Sequence, residues 1–372
     1  MKILMLSKAP LRGAYQRKLE ELATLPEVEQ LTVIVPPYWK EPRVGRVVLE
    51  KAYTSGYDLI VEPMAFNGRY HVHFYPRLGR WVKALRPDLF HVDEESFNLA
   101  TVQGIQLAQR YGAKSVFYNW ANIYKRLPPP FSLFEQYSFK HASGALVGAV
   151  EAKLILERKG FTKPIEICPQ FGVDPSVIHR TAPPATFVRP GVFTIGYAGR
   201  LVEEKGLALL LEAGAKLRGD FRLVFIGTGA MQESLQAQAE RLGLAQQVEF
   251  VPNVPNLQMP GYLSALDVLV LPSLTRPNWK EQFGRILIEA MACGVPVVGS
   301  SSGEIPQVIG EAGLIFPEGD TEALTATLQH LLDDRTLRAI LAEKGLQRVH
   351  ENFTQTEIAR RHLRLYQKAL AE

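Results

Sequence analysis

The chain has 372 residues, 47% of them apolar and 22% charged, which excludes disordered, low-complexity and fibrous classes and suggests about two globular domains. Its 42 basic and 38 acidic residues leave a net charge of +4, too small to imply nucleic-acid binding. The balance is uneven: residues 1–180 hold 24 basic and 17 acidic side chains, and residues 181–372 hold 18 and 21.

The first ten residues carry too short an apolar run for a signal peptide and fit a first β-strand, Lys2–Ser7. Further strands are expected at Leu31–Pro36, Tyr57–Val61, Leu89–Asp93, Ser115–Tyr118, Ala145–Val150 and Ile165–Cys168, with helices such as Phe97–Tyr111 and Glu151–Lys159 between them. A Pro- and Thr-rich stretch, Thr181–Thr186 and Pro190, then marks a linker. Beyond it the alternation restarts, with strands at Phe193–Tyr197, Phe221–Ile226, Val248–Val251, Val268–Leu271, Val295–Gly299 and Gly313–Phe316. Helices are expected at Gly206–Leu217, Met231–Leu242 and Phe283–Cys293, and an amphipathic one at Thr356–Leu370, where Ile358, Leu363, Tyr366 and Leu370 share a face. Short strands alternating with helices predict two doubly wound α/β domains, whose ligands sit beyond the carboxyl ends of the strands.

Two segments at such strand ends carry the chemistry. In Gly196–Gly206, Gly199 permits a tight turn, and Arg200 and Lys205 flank the entry to a helix. A planar fork of donors and a compact point charge fit a diphosphate at a helix N-terminus, although two solvated cations on a surface turn would read alike. In Glu281–Glu289, the first glutamate precedes the helix and the second lies inside it. They stand roughly 12 Å apart along the axis and about 80° apart around it. That is too far for a shared-proton pair. It fits two acceptors for different hydroxyls of one elongated ligand, with the amides of Phe283 and Gly284 facing an anion; the alternative is a capping and a solvated glutamate.

With EQFGRILIEAMACGVPVV, Gly227-Thr-Gly229, Leu271-Pro-Ser273, Ser302-Gly-Glu304 and Gly313–Phe316 in place, the chain resembles GT-B-fold glycosyltransferases of family 4, the retaining group 1 transferases. The resemblance implies two Rossmann-like domains facing across a cleft: an acceptor domain at 1–175, a donor domain at 190–352, and a helix at 353–372 crossing back to the first. It implies that Arg200 and Lys205 clamp the donor diphosphate, that Glu289 holds the ribose and Glu281 the transferred sugar, and that Phe283, Gly284, Gly227 and Gly13 complete the donor site. Gly13 is the one glycine of a loop that is often glycine-rich in the family. Asn119 stands where many members place a histidine, so a histidine-based mechanism does not carry over.

On the acceptor side, Glu94, Asn119 and Asn122 are the candidates. Asp93, Glu94 and Glu95 together could orient an acceptor or accept its proton, but Asp93 and Glu95 fit better as cap and first-turn acids of the helix from Phe97. His71 and His73 share a face of a short strand but lack a third metal ligand. The stretch Tyr38–Arg46 and Lys51 reads as a solvated basic loop, or a dock for an anionic or lipid-linked acceptor. There is no D-x-D pair, no G-x-G-x-x-G and no Gly-Lys dipeptide, against a metal-assisted transferase, a dehydrogenase and a P-loop hydrolase. The two cysteines, Cys168 and Cys293, have no metal-ligand spacing and fit buried thiols of a reducing compartment.

The expected protein is therefore a cytoplasmic, metal- and cofactor-independent retaining glycosyltransferase, with the basic first domain as a candidate peripheral contact at the inner face of a membrane. Its partners would be a UDP- or GDP-sugar donor and a sugar, polysaccharide or lipid-linked acceptor. Other GT-B chemistry (a sugar-phosphate synthase, a phosphorylase or a nucleotide-sugar epimerase) and a non-catalytic nucleotide-sugar-binding protein are the competing readings.

Overall fold

The computed structural model describes residues 1–41 and 45–371. The chain forms two compact units, Met1–Gly172 with Gln355–Glu372, and Val173–Thr354.

The first unit is built on a parallel seven-stranded sheet. Its strands are β1 (Lys2–Leu6), β2 (Gln30–Val35), β5 (Asp58–Val61), β6 (Leu89–Val92), β7 (Lys114–Asn119), β8 (Gly144–Val147) and β9 (Ile165–Ile167), in the order β5-β2-β1-β6-β7-β8-β9. Sequences such as LFHV and GALV are wholly buried, because helices cover both faces of a parallel sheet. The chain winds outward from β1 through β2 to β5, then returns to place β6 on the other side of β1. This reversal between β1 and β6 is the switch point at which an open α/β sheet leaves a crevice. Leu6 pairs with Val92, so Ser7 and Lys8 emerge beside Asp93, Glu94 and Glu95.

Three sequence expectations change in this unit. Tyr38–Arg46 is not a solvated loop: β3 (Tyr38–Glu41) and β4 (Gly45–Val48) form an antiparallel hairpin with Trp39 buried; Arg43 lies outside the described residues. The helix after β6 runs Leu99–Tyr111 with Asn98 at its N-cap and no acid in its first turn, so Asp93 and Glu95 are not its caps. They are held instead by long-range hydrogen bonds. His71 and His73 lie in a turn region, not on a strand.

Helix Gln355–Ala371 completes this unit. Ile358, Leu363, Leu365 and Tyr366 pack into one core with Ile3, Val33, Val116 and Leu146. His362 is buried on the same helix, and the Tyr366 hydroxyl meets His91 Nδ1 at 2.8 Å.

The second unit repeats the plan with six parallel strands: β10 (Phe193–Ala198), β11 (Phe221–Ile226), β12 (Val248–Val251), β13 (Val268–Leu271), β14 (Val297–Ser300) and β15 (Leu314–Phe316), ordered β12-β11-β10-β13-β14-β15. Its reversal lies between β10 and β13. The Pro-rich stretch before β10 forms no regular element, yet Phe187 is buried against Tyr262, and its carbonyl accepts from the Arg222 guanidinium. Both cysteines are buried and free.

Candidate active site

In the second unit, the ends of β10 and β13 converge. Gly199 N–H donates to Ile226 O and Leu201 N–H to Thr228 O, tying the β10 loop to that of β11. The loops approach so closely that a Cβ on Gly227 (φ +134°) would lie 2.0 Å from Gly199 O, a contact only glycine permits. Gly206 (φ +66°) is pressed likewise on Pro272 O, also at 2.0 Å. The Arg200–Lys205 turn is thereby seated on the loop that follows β13.

Lys205 Nζ lies 2.5 Å from Glu281 Oε2, a pair largely withdrawn from water. The Ser273 hydroxyl donates to the same carboxylate oxygen at 3.0 Å, and the Trp279 ring lies 5.0 Å below the ammonium. The Glu281 backbone is fixed as well, its carbonyl accepting from Glu304 N–H. Arg200 is the open member of the set: its side chain is 55% exposed and its nearest acid, Glu204, is 3.6 Å away.

The following helix begins at Arg285, two residues later than the sequence pattern predicts, with Gly284 (φ +78°) as its N-cap. Phe283 is buried with its ring 5.7 Å from Phe353. Glu289 accepts from Arg285 Nε at 2.9 Å, and burial raises its carboxyl above the usual range despite that cation. Lys205 and Glu281 are thus brought into contact, whereas Glu289 has a partner of its own.

In the first unit, the switch point opens on a cavity of about 400 Å³. Trp39, Tyr70, Phe97, Tyr118 and Trp120 supply aromatic wall, and Glu41, Asp93, Glu94 and Glu95 outnumber Lys8 and Arg12 in charge. Asp93 accepts from Ser7 Oγ at 2.5 Å and Gln170 Nε2 at 3.1 Å. Glu94 is paired with Lys8, lies 3.3 Å from His73 Nε2 and accepts from Asn98 Nδ2. Burial alone would raise its carboxyl, but Lys8 and then His73 outweigh that and hold it at about 2. Glu95 differs. Burial pushes it up to about 7, although the amides of Trp120 and Ala121 donate to it.

The other candidates of this unit play narrower parts. Asn119 is buried and its Oδ1 accepts from Ser96 Oγ, and Asn122 is also buried; among the described residues that line the cavity, neither appears. Gly13 N–H donates to Glu50 Oε2 at 2.9 Å, and a Cβ there would meet Ala52 at 2.6 Å. Sequence reasoning missed Lys8 and Trp120 and took Glu95 for a cap and Trp39 for part of a loop; only sheet order and the hairpin bring the four to one cavity.

Two doubly wound parallel sheets in one chain, the second with a cation and a carboxylate meeting at its switch point, define the GT-B architecture. Residues 181–348 match the family of glycosyl transferases group 1. The chain is 35% identical over 153 residues to a GDP-mannose-dependent α-(1-6)-phosphatidylinositol monomannoside mannosyltransferase of Mycolicibacterium smegmatis, covering 39% of this chain and 40% of the relative. It is 28% identical over 222 residues to a 2-deoxystreptamine glucosyltransferase of Streptomyces kanamyceticus, covering 55% of each. The chain thus spans about half the length of the curated relatives it matches. Among solved structures, Anabaena HepE in complex with UDP superposes with a TM-score of 0.73 at 18% identity, over 99% of this chain and 100% of that one.

Proposed function

We propose that the chain is a retaining glycosyltransferase, moving a sugar from a nucleoside diphosphate to an acceptor hydroxyl. The observation that carries this reading is the Lys205–Glu281 pair on its glycine-seated turn, inside the segment that matches the group 1 family. Without donor, each group neutralises the other. A diphosphate, bearing more charge than one carboxylate, draws Lys205 away and frees Glu281 for hydroxyls of the transferred sugar.

Arg200 and Lys205 oppose the charge that grows on the leaving diphosphate, with the backbone at Gly227, Phe283 and Gly284 beside it. Glu289 takes the ribose hydroxyls. Gly13 serves as a point of close backbone approach. Glu94, with Asn119 and Asn122 behind it in role, belongs to acceptor binding. The departing phosphate takes the acceptor proton on the same face, which retains anomeric configuration. UDP and GDP are the favoured nucleotides, as a relative with GDP-mannose and a structural neighbour with UDP in their descriptions suggest.

Incubation with a panel of UDP- and GDP-sugars tests this: nucleoside diphosphate release is expected with one of them, and none with any would overturn the reading. An inverted product by NMR would overturn retention alone. The acidic cavity favours a neutral or amine-bearing sugar at the acceptor position over an anionic one.

The first unit, with 27 basic and 18 acidic residues, is also proposed to meet anionic membrane surfaces; the second holds 15 and 20. No helix among the described residues is long and apolar enough to cross a membrane.

A further inference from the structure

Within the first unit, Trp120 is held at three points. Its amide donates to Glu95 Oε1 at 3.0 Å, its indole N–H donates to Gln170 Oε1 at 3.0 Å, and its ring lies so close over Gly148 that a Cβ there would meet it at 2.4 Å. Gln170 in turn donates to Asp93, which accepts from Ser7. Of these anchors, the Glu95 carboxyl is the incomplete one: Oε2 is shut off from solvent and makes no hydrogen bond. Sites that bind sugars through stacked rings depend on the placement of aromatic walls, and a loop wall is only as fixed as its anchors.

We propose that Glu95 is a positioning residue for the acceptor: by clamping the Trp120–Ala121 backbone it sets the aromatic wall on which an acceptor sugar ring stacks. This rests on the glycosyltransferase reading given above.

The clamp is tunable. An ionised carboxylate accepts amide N–H bonds more strongly than a protonated one, and burial brings the Glu95 carboxyl to about 7. Glu94, which raises it, and Lys8 after β1, which lowers it, act on this carboxyl; Asp93, Tyr118 on β7 and His71 line the same cavity, and His73 lies against Glu94. Lys8 is paired with Glu94 and only partly offsets the effect of burial on Glu95. The wall is therefore firm above neutrality and loosened below it.

Acceptor KM and kcat are to be measured for wild type, Glu95→Gln and Glu95→Ala from about pH 5.5 to about pH 8.5, which brackets neutrality. Methyl α-mannoside, methyl α-glucoside and methyl α-glucosaminide serve as acceptor probes. Wild-type KM is expected to fall as pH rises through about 7. Glu95→Gln, which keeps an acceptor for the amides but does not titrate, loses that inflection. Glu95→Ala raises KM by about tenfold or more above neutrality, the loss of hydrogen bonds to a charged group, and by less below it, while kcat changes less.

An inflection that persists in Glu95→Gln, or an unchanged KM in Glu95→Ala, overturns the proposal. Quenching of tryptophan fluorescence by the same glycosides, with Trp120→Phe as control, reads the wall without turnover. If no donor is turned over, the activity assignment fails, and the quenching series still decides this one. Probes that bind none of the variants, wild type included, overturn it too. Nucleoside diphosphate binding, read as a shift in Tm, is the control for folding.

Discussion

At the scale of single residues, Lys205 and Arg200 are two cations of different standing. Lys205 is 15% exposed and neutralises Glu281, whereas Arg200 is 55% exposed. Lys205→Ala and Arg200→Ala should each lower kcat/KM by about 10²–10³, roughly 2–4 kcal/mol of transition-state stabilisation. Their folding effects should part: Lys205→Ala leaves a buried carboxylate without its cation and lowers Tm, while Arg200→Ala leaves Tm nearly unchanged. Steady-state kinetics and differential scanning fluorimetry on the two variants check this pair of outcomes. Gly227→Ala probes the backbone of the same site. Its methyl would collide with Gly199 O at positive φ, and a loss of about 1–3 kcal/mol in urea unfolding is expected.

At the scale of elements, the C-terminal helix is tied to the first sheet by an apolar face and by two histidines. Leu365 is fully buried and would be 3.0 Å from a Cβ on Gly144. Leu365→Ala should cost about 2–5 kcal/mol, measured as a lower urea midpoint. The histidines add a pH dependence. Burial depresses His91 to about 4 and holds His362 well below its ordinary value. Both are neutral in the folded protein, so their contribution is present above the unfolded value near 6.5 and is lost as pH falls. For His91 that window runs from about 6.5 to about 4, and the loss amounts to about 3 kcal/mol. Thermal unfolding should therefore weaken across this range, and His91→Gln should flatten part of the slope.

At the scale of the whole molecule, charge is partitioned by unit. With the C-terminal helix counted where it packs, the first unit holds an excess of nine positive charges and the second an excess of five negative ones, a sharper split than the two halves of the sequence show. Sedimentation with vesicles containing anionic lipid should retain the protein at low salt and release it as salt rises, and neutral vesicles should not retain it. A nucleoside diphosphate at a hundredfold excess over Kd should stabilise the chain by about 2.7 kcal/mol, seen as a rise in Tm. The cavity in the first unit runs against that unit's sign, since its carboxylates outnumber its cations; net charge describes an outer surface, not a pocket.

The strands, the helices and the donor-side motif were legible in the sequence because each depends on neighbours a few residues away. Alternating short apolar runs mark β1, β10 and β13; Gly199 marks a turn; Arg200, Lys205, Glu281 and Glu289 lie within two short segments. The Lys205–Glu281 contact was not legible, since the two residues are 76 positions apart and meet only because β13 lies beside β10. Nor were the parts of Glu95 and Trp39. A run of three acids before a helix looks like capping by local rules, and a basic stretch with a tryptophan looks like a solvated loop. Local pattern determined the fold class and the residues proposed for a donor; the side-by-side placement of β1 and β6, which no short-range rule encodes, decided which carboxylates face a cavity and which aromatic rings enclose it.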